Sequence, residues 1–473
     1  MKICVLQPDY STTSVDYQYY DPPRNLSPLL PEAEVHHLFL NKLTVFKQLK
    51  EASKQNYDCF VNLCEGYLHW EIPSIDVIYS LQLLELPFTG PTMPLYDPPK
   101  EIMKYVAYTE GIKSPAYAVV RQCDDVGAVC SHLAYPLFIK PAHAGDSLGI
   151  DEGSLVNNEV ELNNKVQQLW EQYDEVLVEE FIDGREFTVL VAAGVSSPKS
   201  CIAFTPLEYI FPAGRNFKTY ALKTSELHKE SNLSVKDDTL AELLKTASKR
   251  IFCSFGGVSY ARLDFRMNAQ GDLYFLEINF TCSVFYNKGY EGSADYILQG
   301  DGIGQGGFLK YIIEEAMARH DRRKKKYFMK GNSISGFGIY AVTGIKKGDV
   351  IFCGEEEEHR LVTKRHVEQT WSQEEKKTFQ HYAYPISDEI YSFWGKEPAN
   401  WAPQNHSCNA NTAYNGLNVV ALKDILKDEE LTLNYAHILN ETAASFDCNC
   451  GTESCRKQIH GEKNNSLTNR QKL

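Results

Sequence analysis

Nowhere in this chain of 473 residues does an apolar run approach the roughly 20 residues needed to cross a bilayer, so no membrane-spanning helix is expected. A secretory leader is not expected either. The short apolar run after Lys2 is cut by Asp9 and the polar Ser11-Thr12-Thr13 stretch before an h-region can form. Basic residues are in deficit: 48 Lys and Arg against 62 Asp and Glu give a net charge of −14. Phosphate affinity comes from Lys and Arg gathered on a basic face, so this balance argues against direct nucleic-acid binding. Extensive disorder is excluded by a content of 43% hydrophobic and 12% aromatic residues. The length exceeds one ordinary core and predicts two or three domains. Thirteen cysteines without an export signal point to reduced thiols or metal ligands, and to a cytoplasmic or nuclear location.

Residues 2–6 and 58–63 are short apolar runs suited to buried parallel strands, and Leu43, Phe46, Leu49 and Ala52 between them recur near helical spacing. That order predicts a small α/β unit, closed near residue 95 by Pro87, Gly90, Pro91, Pro94, Pro98 and Pro99. His36, His37 and His69 lack a ligand cluster at matching spacing and read as ordinary histidines. Further on, residues 136–140 predict a strand that ends at Lys140 and enters a small-residue loop, 141–149. Such a loop can set an ammonium and free N–H groups around phosphates.

The strongest signal in this half is a hairpin, with strands at 260–267 and 272–278 joined by Asn268-Ala269-Gln270-Gly271. Period-two geometry puts Arg262 and Asp264 on one face of the first strand, and Glu277 and Asn279 on one face of the second. Two carboxylates facing each other this way repel unless a cation sits between them. Hard oxygen donors suit Mg²⁺ shared with phosphates, and Arg262 is placed to stabilise charge developing on an acyl centre.

These residues resemble the ATP-grasp fold, in its D-alanine–D-alanine ligase branch, over about residues 58–319. The resemblance implies that Lys100 and Lys140 contact ATP phosphates, with Lys104 close enough to substitute for Lys100. It implies Glu179 and Ile182 at the adenine hinge, Glu186 on the ribose, and Asp264, Glu277 and Asn279 on Mg²⁺. The acceptor half departs from that branch, with Gln7-Pro8-Asp9-Tyr10 near the start, Asp146 in the loop and Phe280-Thr281-Cys282-Ser283-Val284 after Asn279. Gly302 to Gly307 fits G-x-G-x-x-G but lacks a βαβ frame and reads as a loop before a helix at 308–318. The charge run 319–326 reads as a solvated junction.

In the last third, Cys448, Cys450 and Cys455 are spaced so that one tight loop can aim three thiolates at one ion, and Cys408 is the nearest upstream cysteine. With Gly336-Phe337-Gly338-Ile339-Tyr340, Lys347-Gly348-Asp349, Asn405-His406-Ser407-Cys408 and Leu431-Thr432-Leu433-Asn434-Tyr435, these cysteines resemble a SET-domain lysine methyltransferase with a post-SET zinc loop. The resemblance implies that Gly336, Phe337, Gly338, Tyr340, Asn405 and His406 hold S-adenosylmethionine, and that Tyr435 is catalytic. It also implies one Zn²⁺ on Cys408, Cys448, Cys450 and Cys455. Ala402, Pro403, Ala410 and Asn434 depart from the usual pattern, and Glu355 to Glu358 form an acidic patch.

The expected architecture is therefore an N-terminal α/β lobe (1–95), an ATP-grasp region (96–319), a mostly-β SET domain (320–440) and a post-SET loop with its tail (441–473). The expected function is S-adenosylmethionine-dependent methylation of a lysine in a protein or peptide, histones included, with an ATP- and Mg²⁺-binding unit. That unit either joins a small carboxylate to an amine or serves as a scaffold. The alternatives are a carboxylate–amine ligase with the SET region as recognition domain, and a non-enzymatic adaptor.

Overall fold

The computed structural model describes residues 1–11, 13, 21–65, 71–143, 149–197, 199–212, 216–217, 231–332, 336–354, 359–394 and 404–461. His69, Asp146 with most of its loop, Ile334 and Ser335, the acidic run 355–358, and Ala402 and Pro403 lie outside them. The chain forms two compact units, Met1–Arg322 and Arg323–Leu473.

The first unit begins with a parallel sheet in which Lys2–Pro8 lies between Glu34–Leu40 and Cys59–Asn62. The helix of this lobe spans Val45–Ala52 and buries Val45, Leu49 and Ala52. Leu43 is 92% exposed and Phe46 42%, contrary to the expected apolar set. The helix starts after Leu43, and 45, 49 and 52 are the positions that share one face. Residues on both sides of the proline-rich stretch near 95 share a core, since Ile3, Val5 and Leu26 cluster with Leu190, Tyr260 and Phe308.

Two antiparallel sheets follow. One has the order Tyr117–Arg121, Glu175–Glu180, Leu137–Pro141, Leu155–Val156, and is backed by the helix Glu159–Trp170. The other runs Asn232–Ser234, Leu207–Tyr209, Arg185–Ala193, Tyr260–Met267, Leu273–Asn279, with Cys201–Ala203 also on Arg185–Ala193. Arg185–Ala193 is buried on both faces because alternate residues feed different cores. Phe187, Val189, Val191 and Ala193 pack under the helix Asp238–Ser254, whereas Leu190 and Ala192 join the core of the first lobe.

The last helix of this unit, Gly304–Arg323, buries Phe308, Leu309, Ile312, Ile313 and Ala316. It continues into the charge run that reads from sequence as a solvated junction. Arg319 is buried there, paired with Glu315 at 3.2 Å and donating to the Phe88 carbonyl at 2.7 Å, so the run opens as a structural ion pair. The division between the two units falls inside the run.

The second unit is mostly β. A hairpin of Tyr327–Asn332 and Gly336–Ala341 accompanies a sheet ordered Val350–Phe352, Asn418–Ala421, Thr412–Asn415, Thr432–Leu433, Asn405–His406. The short strand Asn405–His406 runs parallel to Thr432–Leu433, which sets the Asn-His segment beside the residues that lead into Tyr435. The sheet Tyr384–Pro385, Ile390–Trp394, His359–Thr363 carries Tyr391 and Phe393 into an apolar cluster with Trp371 and Phe379. Among the described residues no helix is long and apolar enough to cross a membrane.

Candidate functional sites

In the first unit a cleft of about 820 Å³, its open mouth included, is lined by Lys100, Lys140, Glu179, Ile182, Glu186, Asp264 and Glu277. Lys140 is the last residue but one of the strand Leu137–Pro141, and Lys100 opens the helix Lys100–Thr109. Asp264 lies opposite Glu277, and Arg262 opposite Asn279. A bulge between Asp264 and Phe265 changes the parity of the second strand, so Ile278 and Phe275 face the core while Leu276 and Glu277 both face the cleft. Strict alternation in the sequence does not show this.

The cleft is held by ion pairs. Glu277 pairs with Lys100 at 2.9 Å, and Arg262 meets Asp264 at 3.2 Å. Thr188 donates to Asp264 at 2.6 Å. Burial pushes the Glu277 carboxyl up, but Lys100, Lys140 and Arg262 outweigh it and hold the group well below the usual carboxylate range. Deeper in, Glu179 is shared by Lys140 at 2.5 Å and Lys104 at 2.8 Å. Burial opposes its ionisation, yet the two ammoniums win and bring its pKa to about 2. The Glu179 side chain is thus a counter-ion that spaces two lysines. Lys100 lines the cleft, while Lys104 is buried beneath it against Glu179 and the Tyr117 ring. Asn279 Oδ1 accepts from the Thr281 N–H at 2.8 Å and from the Thr281 hydroxyl at 3.2 Å, so a cation would take the place of the longer, hydroxyl contact. The donor set of Asp264, Glu277 and Asn279 fits a hard cation such as Mg²⁺. Sequence reasoning missed Phe138, Phe181, Phe217 and Arg266 in the lining. The signal for Arg266 was there, since it follows Arg262 and Asp264 at period two.

In the second unit the Asn405 side chain donates to the Phe337 carbonyl at 2.9 Å and to Glu430 at 2.8 Å, while Tyr340 bridges Glu430 through the backbone. Gly336–Ala341, Asn405 and Glu430 therefore meet at one place. Gly336 has φ +87°, a conformation that favours glycine. Tyr435 starts a short 3₁₀ turn, Tyr435–His437, and its N–H donates to His406 Nδ1 at 3.0 Å. Its hydroxyl donates to the Gln404 carbonyl, and its ring packs against His406 and Phe446. Burial, with Tyr382 nearby, pushes the phenol up to about 12, so it is neutral at physiological pH.

Beside it, one ligand atom each of His406, Cys408, Cys448 and Cys450 lies within 4.8 Å of the others. The Cys408 and Cys448 sulfurs are 3.9 Å apart, close to the roughly 3.8 Å edge of a tetrahedron with Zn–S bonds of about 2.3 Å. Cys455 sits at the rim, its thiol 3.4 Å from the Cys448 carbonyl. His406 competes with it for the fourth position. Its Nδ1 accepts from Tyr435 N–H, so the proton of the neutral ring is on Nε2, which faces the Cys408 sulfur at 3.3 Å. A protonated Nε2 donates to sulfur and does not ligate.

Comparison with known proteins agrees with this division. The family "D-ala D-ala ligase C-terminus" matches residues 106–285, and the SET domain family matches residues 336–436. D-alanine–D-alanine ligases of Idiomarina loihiensis and Pseudomonas entomophila are 29% and 31% identical over 207 and 202 residues, each match covering 42% of this chain. The matches span 63% and 60% of those relatives' own length. Among solved structures, the Bacillus anthracis D-alanine–D-alanine ligase complexed with ATP covers 68% of this chain and 100% of its own, with a TM-score of 0.50 at 19% identity. The Coxiella burnetii ligase covers 68% and 97%, with a TM-score of 0.51 at 18% identity. At these identities the likeness is one of fold. In order along the chain, this protein thus carries a D-Ala–D-Ala ligase C-terminal region of the ATP-grasp type and a SET domain, with a Cys/His cluster that joins two SET residues to two cysteines beyond it.

Proposed function

We propose that the chain is an S-adenosylmethionine-dependent methyltransferase acting on a lysine of a protein or peptide, with a histone tail as one candidate, and that it works in the cytoplasm or nucleus. The observation that carries this reading is the setting of Tyr435, a neutral, half-buried phenol beside the parallel pair Asn405–His406 and Thr432–Leu433. Its proton is spent on the Gln404 carbonyl, so its oxygen has lone pairs left to accept an N–H from an incoming amine. S-adenosylmethionine supplies an electrophilic methyl group when bound. The chain's task is orientation: Tyr435 aims the amine, and the Gly336–Tyr340 strand with Asn405 and His406 offers the cofactor's surface. Zn²⁺ on Cys408, Cys448, Cys450 and Cys455 would tie the last loop to the Asn-His segment. Incubation with labelled S-adenosylmethionine and histones, peptides or free amino acids tests the reading. Absence of label in every acceptor, in protein shown to bind the cofactor, overturns it.

A second activity is favoured by the cleft of the first unit, where Lys100, Lys140, Glu186, Asp264 and Glu277 line one space. They support binding of Mg·ATP, with the ammoniums on phosphate, Glu186 on the ribose and Asp264, Glu277 and Asn279 on the metal. Arg262 beside Asp264 would then serve the acyl centre in joining a small carboxylate to an amine. ATP hydrolysis that depends on an added acceptor tests this activity.

A further inference from the structure

The nucleotide cleft contains a cation that the proposed contacts do not use. Arg266 lines the cleft, is 3% exposed, and stands opposite Glu186 in the sheet. One terminal nitrogen donates to the Gly184 carbonyl at 3.2 Å and the Asn216 carbonyl at 2.6 Å. The guanidinium lies over Phe181, 4.6 Å from the ring centre, and 5.8 Å from that of Phe211. Close packing at Gly184 helps to fix this corner, because a Cβ there would stand 2.1 Å from the Met267 carbonyl oxygen. The guanidinium is therefore held on two sides. Its Nε, however, is buried without a hydrogen-bond partner among the described residues, and faces Glu186 Oε2 across 4.0 Å.

That distance is too long for a hydrogen bond and too short to be incidental for two buried charges. A buried N–H left unpaired is costly, so the pair is shaped for a third group. The group has to accept from Nε–H and donate to a carboxylate. A phosphate oxygen fails at Glu186, and an ammonium fails at Arg266. A hydroxyl does both, and two hydrogen bonds of about 2.9 Å meeting at roughly a right angle span the observed gap. We propose that Arg266 and Glu186 form a two-sided clamp on a ribose hydroxyl, so that the cleft selects ribonucleotides over deoxyribonucleotides. This rests on the reading of the cleft as a nucleotide site and adds to it a residue that sets sugar specificity.

The test is calorimetry on the full chain with the Mg²⁺ complexes of ATP, 2′-deoxyATP and 3′-deoxyATP. Wild type should bind at least one deoxy analogue about tenfold more weakly than ATP, because a site built to hydrogen-bond a hydroxyl penalises its loss. Arg266→Met, which keeps a long apolar stem over Phe181, should weaken ATP to the level of that analogue while changing the analogue little. Equal affinity of wild type for all three nucleotides overturns the clamp and leaves the nucleotide site standing. Failure to bind any of them at millimolar concentration removes both. The comparison of analogues on wild type needs no variant to fold.

Discussion

Replacing Tyr435 with Phe removes one oxygen and keeps the ring, so it separates what the hydroxyl does from what the aromatic body does. The ring packs against His406 and Phe446, contacts that Phe retains. The hydroxyl has one described partner, the Gln404 carbonyl, which loses its donor in the variant. A buried acceptor left unpaired costs about 1–3 kcal/mol. At about 2–4 °C per kcal/mol for a unit of this size, thermal unfolding should shift modestly and the fold should persist. Transfer should suffer far more. If the phenol oxygen holds the acceptor amine in line, its loss removes a contact worth about 10²-fold in kcat. Affinity for S-adenosylmethionine should hold, because the groups proposed to bind it lie on Gly336–Tyr340, Asn405 and His406. The phenol is pushed to about 12, so it stays neutral through the range in which a lysine amine loses its proton. The rate of wild type should therefore rise with pH toward the acceptor's own pKa, and Y435F should keep that profile at lower amplitude. Stopped assays with labelled cofactor, with calorimetry for cofactor binding, give all three quantities. Unchanged kcat in Y435F would refute the assignment, as would a fall in kcat matched by loss of cofactor binding.

Metal analysis should find one zinc per chain. Cys455→Ser should lose it and His406→Gln should retain it, whereas the reverse pattern would make His406 the fourth ligand. Glu277→Gln should weaken Mg·ATP binding and leave methyl transfer intact, read by calorimetry and by the labelled-cofactor assay on the same preparation. Glu179→Gln strands Lys104 and Lys140 without their shared carboxylate and should cost about 3–5 kcal/mol in urea unfolding of the first unit. In wild type the Glu179 pKa is depressed to about 2, so its contribution to stability is present above the ordinary carboxylate range and lost as pH falls through that value. Glu179→Gln should flatten that acid limb, and an unchanged limb would count against the depressed pKa.

Much of both units was legible because their motifs are local. The strands around Arg262 and Asp264, the Asn405-His406 segment and the closely spaced cysteines each occupy one short stretch, and alternation or loop spacing is enough to place them. What escaped depends on partners distant in sequence. The bulge beside Asp264 is one inserted residue, and it brought Leu276 into the cleft without any change in apolar content. That the Glu179 side chain is a counter-ion shows only once Lys104, on the helix Lys100–Thr109, is seen to share it with Lys140. Arg319 reads as part of a solvated run until Glu315, one turn back, and the Phe88 carbonyl are found against it. The separation of the N-terminal lobe near residue 95 was drawn from prolines, which mark turns but say nothing of whether the flanking segments share a core.

The carboxylate pair on the hairpin shows how a correct placement can carry an incomplete inference. Asp264 and Glu277 do stand opposite each other, and from sequence that arrangement calls for a cation between them. The protein supplies counter-charge itself, with Lys100 on Glu277 and Arg262 on Asp264. Repulsion between the two is thus already offset, and a divalent ion alone would have to compete with two ion pairs for oxygens they hold. In the proposed site a nucleotide triphosphate would change the balance, because its phosphates would attract Lys100 and Lys140 away from carboxylate partners and bring oxygen ligands of their own. Magnesium and nucleotide should therefore enter the cleft as one unit. That is why the weakening expected in Glu277→Gln must be sought with Mg·ATP, and why titration with magnesium alone says little about the site.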